Sequence, residues 1–169
     1  MLEADHRRCK RLRGWRGLEI ALGCDIIVAA EHAQFGLPEA RRGLLADAGG
    51  VIRLPRRIPH HLAMAMVLTG KFISAQEACR IGLVNEVVPM GDLAAAAERW
   101  AADILEFAPF SVQAAKQVIM RTIELPVAVA MSLVESFDAV RELRASEDYV
   151  EGPRAFAEKR EPVWRGRQL

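Results

Sequence analysis

The run GLEIALGCDIIVAAEHAQFGLPEARRG, residues 17–43, constrains this chain more than any other, because it compresses a helix end, two strand-length apolar runs and a proline turn into one short stretch. Leu18, Ile20, Ala21 and Leu22 supply one or two helical turns that Gly23 can end. Residues 25–30 form a short apolar run with β-branched members, as expected of a buried strand. Residues 33–37 form a second after the polar pair Glu31 and His32.

Two glutamates stand at element ends in this run, Glu19 at a helix start and Glu39 just after Pro38, where a side chain can enter a cleft without breaking the core. Such a pair fits two roles. It can be plain surface charge, or it can move protons at two neighbouring reacting carbons. Spacing alone leaves both open.

Beyond residue 58 the pattern turns helical. A compact helix over 62–68 is ended by Gly70, and Ser74 with Glu77 three residues on reads as a capping box. Residues 85–89 supply a short strand, and Asp92 starts a helix in which Leu93, Ala97, Trp100, Ala101, Ile104 and Leu105 recur at helical spacing. Pro109 suits the first turn of another helix, and one opening near Pro126 stacks Ala130, Leu133, Val134 and Phe137 on one face. This apolar surface exceeds what one small helical layer buries alone, which predicts association.

The 169 residues are 51% hydrophobic, enough for a core, and the net charge of +1 points to no polyanionic partner. The cationic cluster Arg7, Arg8, Lys10, Arg11, Arg13 and Arg16 lacks aromatic interleaving and so gives no nucleic-acid signature. Residues 1–16 show little apolar periodicity and are expected to be mobile unless bound. Three cysteines, Cys9, Cys24 and Cys79, form no CxxC pair and are odd in number, which suits a reducing cytoplasm; Cys24 and Cys79 are expected to be buried small hydrophobes. His60 and His61 lack the second ligand cluster that zinc requires and read as surface histidines, so no metal is expected. No apolar run approaches the roughly eighteen residues of a membrane span.

Several ordered segments together carry a resemblance. GLEIALGCDIIVAAEHAQFGLPE, ADAGGVIRLPRRIP, MVLTGKFISAQEACRIGLVNEVVP and the tail EGPRAFAEKREPVWRGR follow one another as in the second half of the enoyl-CoA hydratase/isomerase (crotonase) family, and they look closest to its carnitinyl-CoA dehydratase-like branch. The resemblance implies an α/β fold: a truncated crotonase-like ββα spiral core over residues 17–90, then a C-terminal helical oligomerisation region over 91–169. The basic segment 1–16 matches nothing in the family. The abrupt switch near Gly17 is read as a late entry of the reading frame into the ancestral gene, through a late start or a frameshift.

The same resemblance implies hydration or dehydration of α,β-unsaturated acyl-CoA thioesters. Glu19 falls on the glutamate that deprotonates the attacking water, and Glu39 on the one that delivers a proton to the α-carbon. Arg16 stands where the family has a glycine donating one oxyanion N–H, a departure that places a side chain where close approach is needed. Asp47 falls on the loop beside the water site, or caps a helix opening at Gly49 or Gly50; Lys159 falls where the family approaches the CoA nucleotide, or is a solvated lysine at a helix end. No cofactor is implied beyond the coenzyme A of the substrate. The implied partners are the acyl-CoA and further copies of the chain, as trimers or hexamers, with no nucleic acid and no membrane. The alternative is a catalytically inactive remnant of the family that acts as a self-association module.

Overall fold

A computed structural model describes residues 17–166, in two compact units that divide between Ala97 and Glu98. The expectations for residues 1–16, Arg16 included, lie outside the described residues.

The first unit holds α1 (Gly17–Ala21), β1 (Val28–Ala30), β2 (Gln34–Phe35), a 3₁₀ turn (Pro38–Arg42), α2 (Gly50–Arg57), α3 (His60–Thr69), β3 (Ile73–Ser74), α4 (Ala75–Arg80) and β4 (Glu86–Val88). A 3₁₀ turn (Met90–Asp92) leads into α5 (Leu93–Leu105), which carries the chain into the second unit. β1 pairs in parallel with β4, Val28 opposite Glu86, and β2 pairs antiparallel with β3, Gln34 opposite Ser74. Among the described residues neither sheet has more than two strands. The α/β class and the order of helices and strands agree with the expectation, but the strands are shorter. Before Val28 the ladder is taken over by a side chain, because Ile27 N–H donates to Asn85 Oδ1 at 2.9 Å while Asn85 N–H donates to Ile27 O at 2.8 Å. The second strand stops at Phe35 because Leu37 and Pro38 turn the chain into the 3₁₀ segment.

The core of this unit is well filled. Leu22 and Leu54 are 1% and 0% exposed, and Leu18, Leu37, Ala46, Ile58, Ala63, Met66, Ala75, Ala78, Leu83 and Val84 surround them. α3 begins two residues earlier than the spacing predicts, directly after Pro59, and ends at Gly70, whose φ of 61° lets its N–H reach back to Met66 O at 2.9 Å. The capping box is half made. Ser74 Oγ accepts from Glu77 N–H at 3.2 Å, but the Glu77 carboxylate binds Arg80 at 2.7 Å instead of the Ser74 amide. Arg80 therefore draws the Glu77 carboxyl below its ordinary pKa. Cys24 and Cys79 are half-buried rather than fully buried.

The second unit is helical: α6 (Pro109–Thr122) with proline in its first turn as expected, α7 (Val127–Leu133), a 3₁₀ turn (Val134–Ser136), α8 (Asp138–Ala145) and α9 (Asp148–Glu158). The stack expected after Pro126 is only partly covered, with Ala130, Val134 and Phe137 half-buried and Leu133 exposed. Polar groups fasten the following tail to α9. Asp148, buried at 3% exposure, accepts from Arg165 N–H at 2.7 Å and from Gly166 N–H at 3.1 Å. Glu151 holds the Arg160 guanidinium at 2.6 and 2.9 Å and accepts from Val163 N–H at 2.9 Å; the Arg160 hydrogen bonds, more than the amide, hold its carboxyl down at about 2. Trp164 Nε1 donates to Glu106 O at 2.9 Å. Among the described residues no helix is long and apolar enough to cross a membrane.

Candidate active site

Glu19 sits in α1, a five-residue helix whose Leu18 is buried, as is Leu22 just after it, and the same packing carries the glutamate inward to 3% exposure. A carboxylate at that depth needs a donor. It finds one 31 residues away, where Gly50 N–H donates to Glu19 Oε1 at 2.9 Å. Gly50 is the first residue of α2, so Glu19 occupies the positive end of that helix and satisfies one of its orphan amides. The bond fixes one oxygen and leaves Oε2 available for a proton.

The contact requires glycine. A Cβ on Gly50 would lie 3.0 Å from Glu19 Oε1, 2.9 Å from Ala46 Cβ and 3.0 Å from Leu37 Cδ2. Gly49 before it takes φ 111°, a left-handed setting, and Arg53 lies across it, as a Cβ there would meet Arg53 Nη1 at 2.6 Å. The α2 N-terminus is thus a tight corner built around the Glu19 carboxylate.

Leu37, which shares that corner, is two residues before Glu39. Glu39 lies in the 3₁₀ turn at 6% exposure, and both its carboxylate oxygens are buried with no hydrogen-bond partner. A buried carboxyl group without a partner is costly in a native fold. Such a group is commonly reserved for a ligand or a catalytic step. The two carboxyl groups therefore differ in kind, one tethered and one unengaged, and unlike surroundings suit different proton-transfer tasks.

The remaining expected residues fall elsewhere. Asp47 is exposed on the loop before α2, and it does not cap that helix, because Gly49 takes the cap position and Glu19 supplies the acceptor. Lys159 ends α9 in the second unit, exposed and left-handed at φ 54°. His60 and His61 are exposed in the first turn of α3 with ring centroids 5.9 Å apart, and among the described residues no group of three His, Cys, Asp or Glu could hold a metal. The partnership of Glu19 with Gly50 escapes a reading of the sequence, although the double glycine of ADAGG marks the tight corner that makes it possible.

Short strands and helices that bury two glutamates define an α/β scaffold with two carboxyl groups in its interior. The model of the enoyl-CoA hydratase/isomerase family matches residues 16–167, and the chain belongs to that family. It is 44% identical over 153 residues to the carnitinyl-CoA dehydratases of Salmonella heidelberg (strain SL476) and Salmonella typhimurium (strain LT2), covering 89% of this chain and 59% of theirs. Among solved structures, the enoyl-CoA hydratase from Mycobacterium tuberculosis H37Rv superposes with a TM-score of 0.83 at 38% identity, over 90% of this chain and 60% of that one. The enoyl-CoA hydratase from Bacillus anthracis does so with 0.82 at 37%, over 90% and 58%. The crotonase-like fold is thereby established, and the chain spans about three-fifths of the length of the relatives it matches.

Proposed function

We propose that this chain carries the acid/base pair of a hydratase acting on α,β-unsaturated acyl-CoA thioesters, with Glu19 as base and Glu39 as acid. The observation that supports it is the pairing of a tethered buried carboxylate with an unengaged one. In hydration, Glu19 takes a proton from water as its oxygen bonds to the β-carbon. The electrons of the double bond shift toward the thioester carbonyl, and Glu39 delivers a proton to the α-carbon. Each proton transfer contributes about 10²–10⁴-fold. Backbone N–H donors that stabilise the thioester oxyanion are worth about 10²–10³ each, and the position of one, Arg16, lies outside the described residues. Asp47 would border the water site and Lys159 would meet a phosphate of the CoA nucleotide. The substrate itself brings the coenzyme A, and the setting is the cytoplasm, where Cys24 and Cys79 stay as thiols.

The identity to carnitinyl-CoA dehydratases favours a dehydratase of that kind as the finer reading within lyase chemistry. A second reading, an inactive remnant that self-associates as a trimer or hexamer, draws on the apolar surface of the second unit, where Ile123, Val127, Met131 and Phe156 are exposed. The deciding experiment follows the loss of the ultraviolet absorbance of a short enoyl-CoA with the purified chain and with Glu19→Gln and Glu39→Gln. Turnover that falls about 10²-fold or more in each variant supports the enzyme. No turnover from a folded sample supports the remnant.

A further inference from the structure

We propose that Arg41 is a positioning residue for Glu39, acting as a clamp between the 3₁₀ turn and the end of α3; the inference rests on the acid role of Glu39 proposed above. Glu39 has no hydrogen bond on its carboxylate, so its aim depends on the packing around it and on where the backbone of the turn is held. The turn has no side-chain cap and is closed by backbone bonds, Gly43 N–H to Ala40 O at 3.3 Å and Leu44 N–H to Glu39 O at 3.1 Å.

Arg41 adds a polar anchor to the packing of the turn against α3. Its Nε donates to Thr69 O at 3.0 Å, one of the last carbonyls of α3, where the helix end is negative and short of donors. The next residue is Gly70, and a Cβ there would lie 2.9 Å from Arg41 Nε, 3.0 Å from Cγ and 3.2 Å from Cδ. The arginine stem therefore lies on bare glycine backbone. The hydrogen bond and the packing place the arginine in one position, over a glycine that its left-handed φ of 61° already requires. α3 is itself fixed through buried Ala63 and Met66, so the clamp ties the Glu39 turn to the core. The arginine is exposed, and its removal leaves the core packing untouched.

The test compares Arg41→Ala and Arg41→Lys in the full chain, reading enoyl-CoA hydration kinetics, amide hydrogen exchange at Gly43 and Leu44, and the thermal midpoint. In Arg41→Ala the expected result is a kcat about tenfold to hundredfold lower with KM nearly unchanged, because a small misplacement of a reacting group costs on that order. Exchange at Gly43 and Leu44 rises and the midpoint stays in place. Arg41→Lys restores part of kcat, because its ammonium can still reach a helix carbonyl. Unchanged exchange in Arg41→Ala overturns the clamp, and so does an unchanged kcat in an active chain. If the unmodified chain shows no turnover, the acid role of Glu39 fails, and the exchange arm still decides whether the clamp exists.

Discussion

The two units bury themselves by different means. The first is closed by large aliphatic side chains, with Leu22 and Leu54 sealed and Met66, Ile58 and Leu37 around them, and inside that apolar shell it keeps two carboxyl groups. In the second, the buried apolar residues are Ala108, Ala114, Val140 and Ala155, while Phe156 is 87% exposed and Ile123 and Met131 are largely so. Much of its order comes from polar fastening, with Asp148 and Glu151 gripping the tail. An apolar shell can hold a costly unpartnered glutamate because the burial around it offsets the cost; a unit held by small residues and ion pairs has less to offset. The two buried glutamates lie in the first unit, and the polar fastening of the tail lies in the second.

That contrast breaks most readily at Leu54. Leu54→Ala removes a fully buried side chain and is expected to lower the free energy of unfolding in urea by about 2–5 kcal/mol. A smaller change follows in the second unit. Asp148→Ala leaves the amides of Arg165 and Gly166 without their acceptor and is expected to cost about 1–3 kcal/mol by the same measurement. A loss at Asp148 equal to or above that at Leu54 would dissolve the distinction.

The smallest effect is local and set by acid. The Glu151 carboxyl is held at about 2 in the folded chain against an ordinary 4.5. A lowered folded value means that its contribution is complete above the ordinary range and drains away as the pH falls from there toward 2. Because Arg160 is exposed and Glu151 half-buried, the effect is expected in the tail rather than in global stability. Amide exchange at Val163 should rise across that window, and Glu151→Gln should remove the pH dependence.

Much of this was legible in the residues. Gly70 after an apolar run gave the end of α3, Pro109 the start of α6, and Pro38 the turn that presents Glu39. Of the two readings of Asp47, the cap is not formed, because a carboxylate from 31 residues upstream supplies the acceptor where Gly49 turns left-handed. The strands were overcalled at their ends because apolar runs continue beyond the pairing, where Asn85 substitutes a side chain for a strand neighbour. α9 was hidden by Gly152 and Pro153, a breaker pair tolerated here within its first two turns. The unengaged state of Glu39 and the reach of Arg41 to Thr69 depend on contacts between distant segments, which no local pattern encodes.

The central claim is that two buried glutamates act on one bound thioester, and isotope incorporation tests it most directly. A saturated 3-hydroxyacyl-CoA is formed from an enoyl-CoA in heavy water by the unmodified chain, Glu19→Gln and Glu39→Gln, and deuterium at the α-carbon is read by mass spectrometry. The account predicts one deuterium at the α-carbon with the unmodified chain and loss of that product in both variants. Product of the same labelling and rate from Glu39→Gln would contradict it, because the α-proton would then have another source.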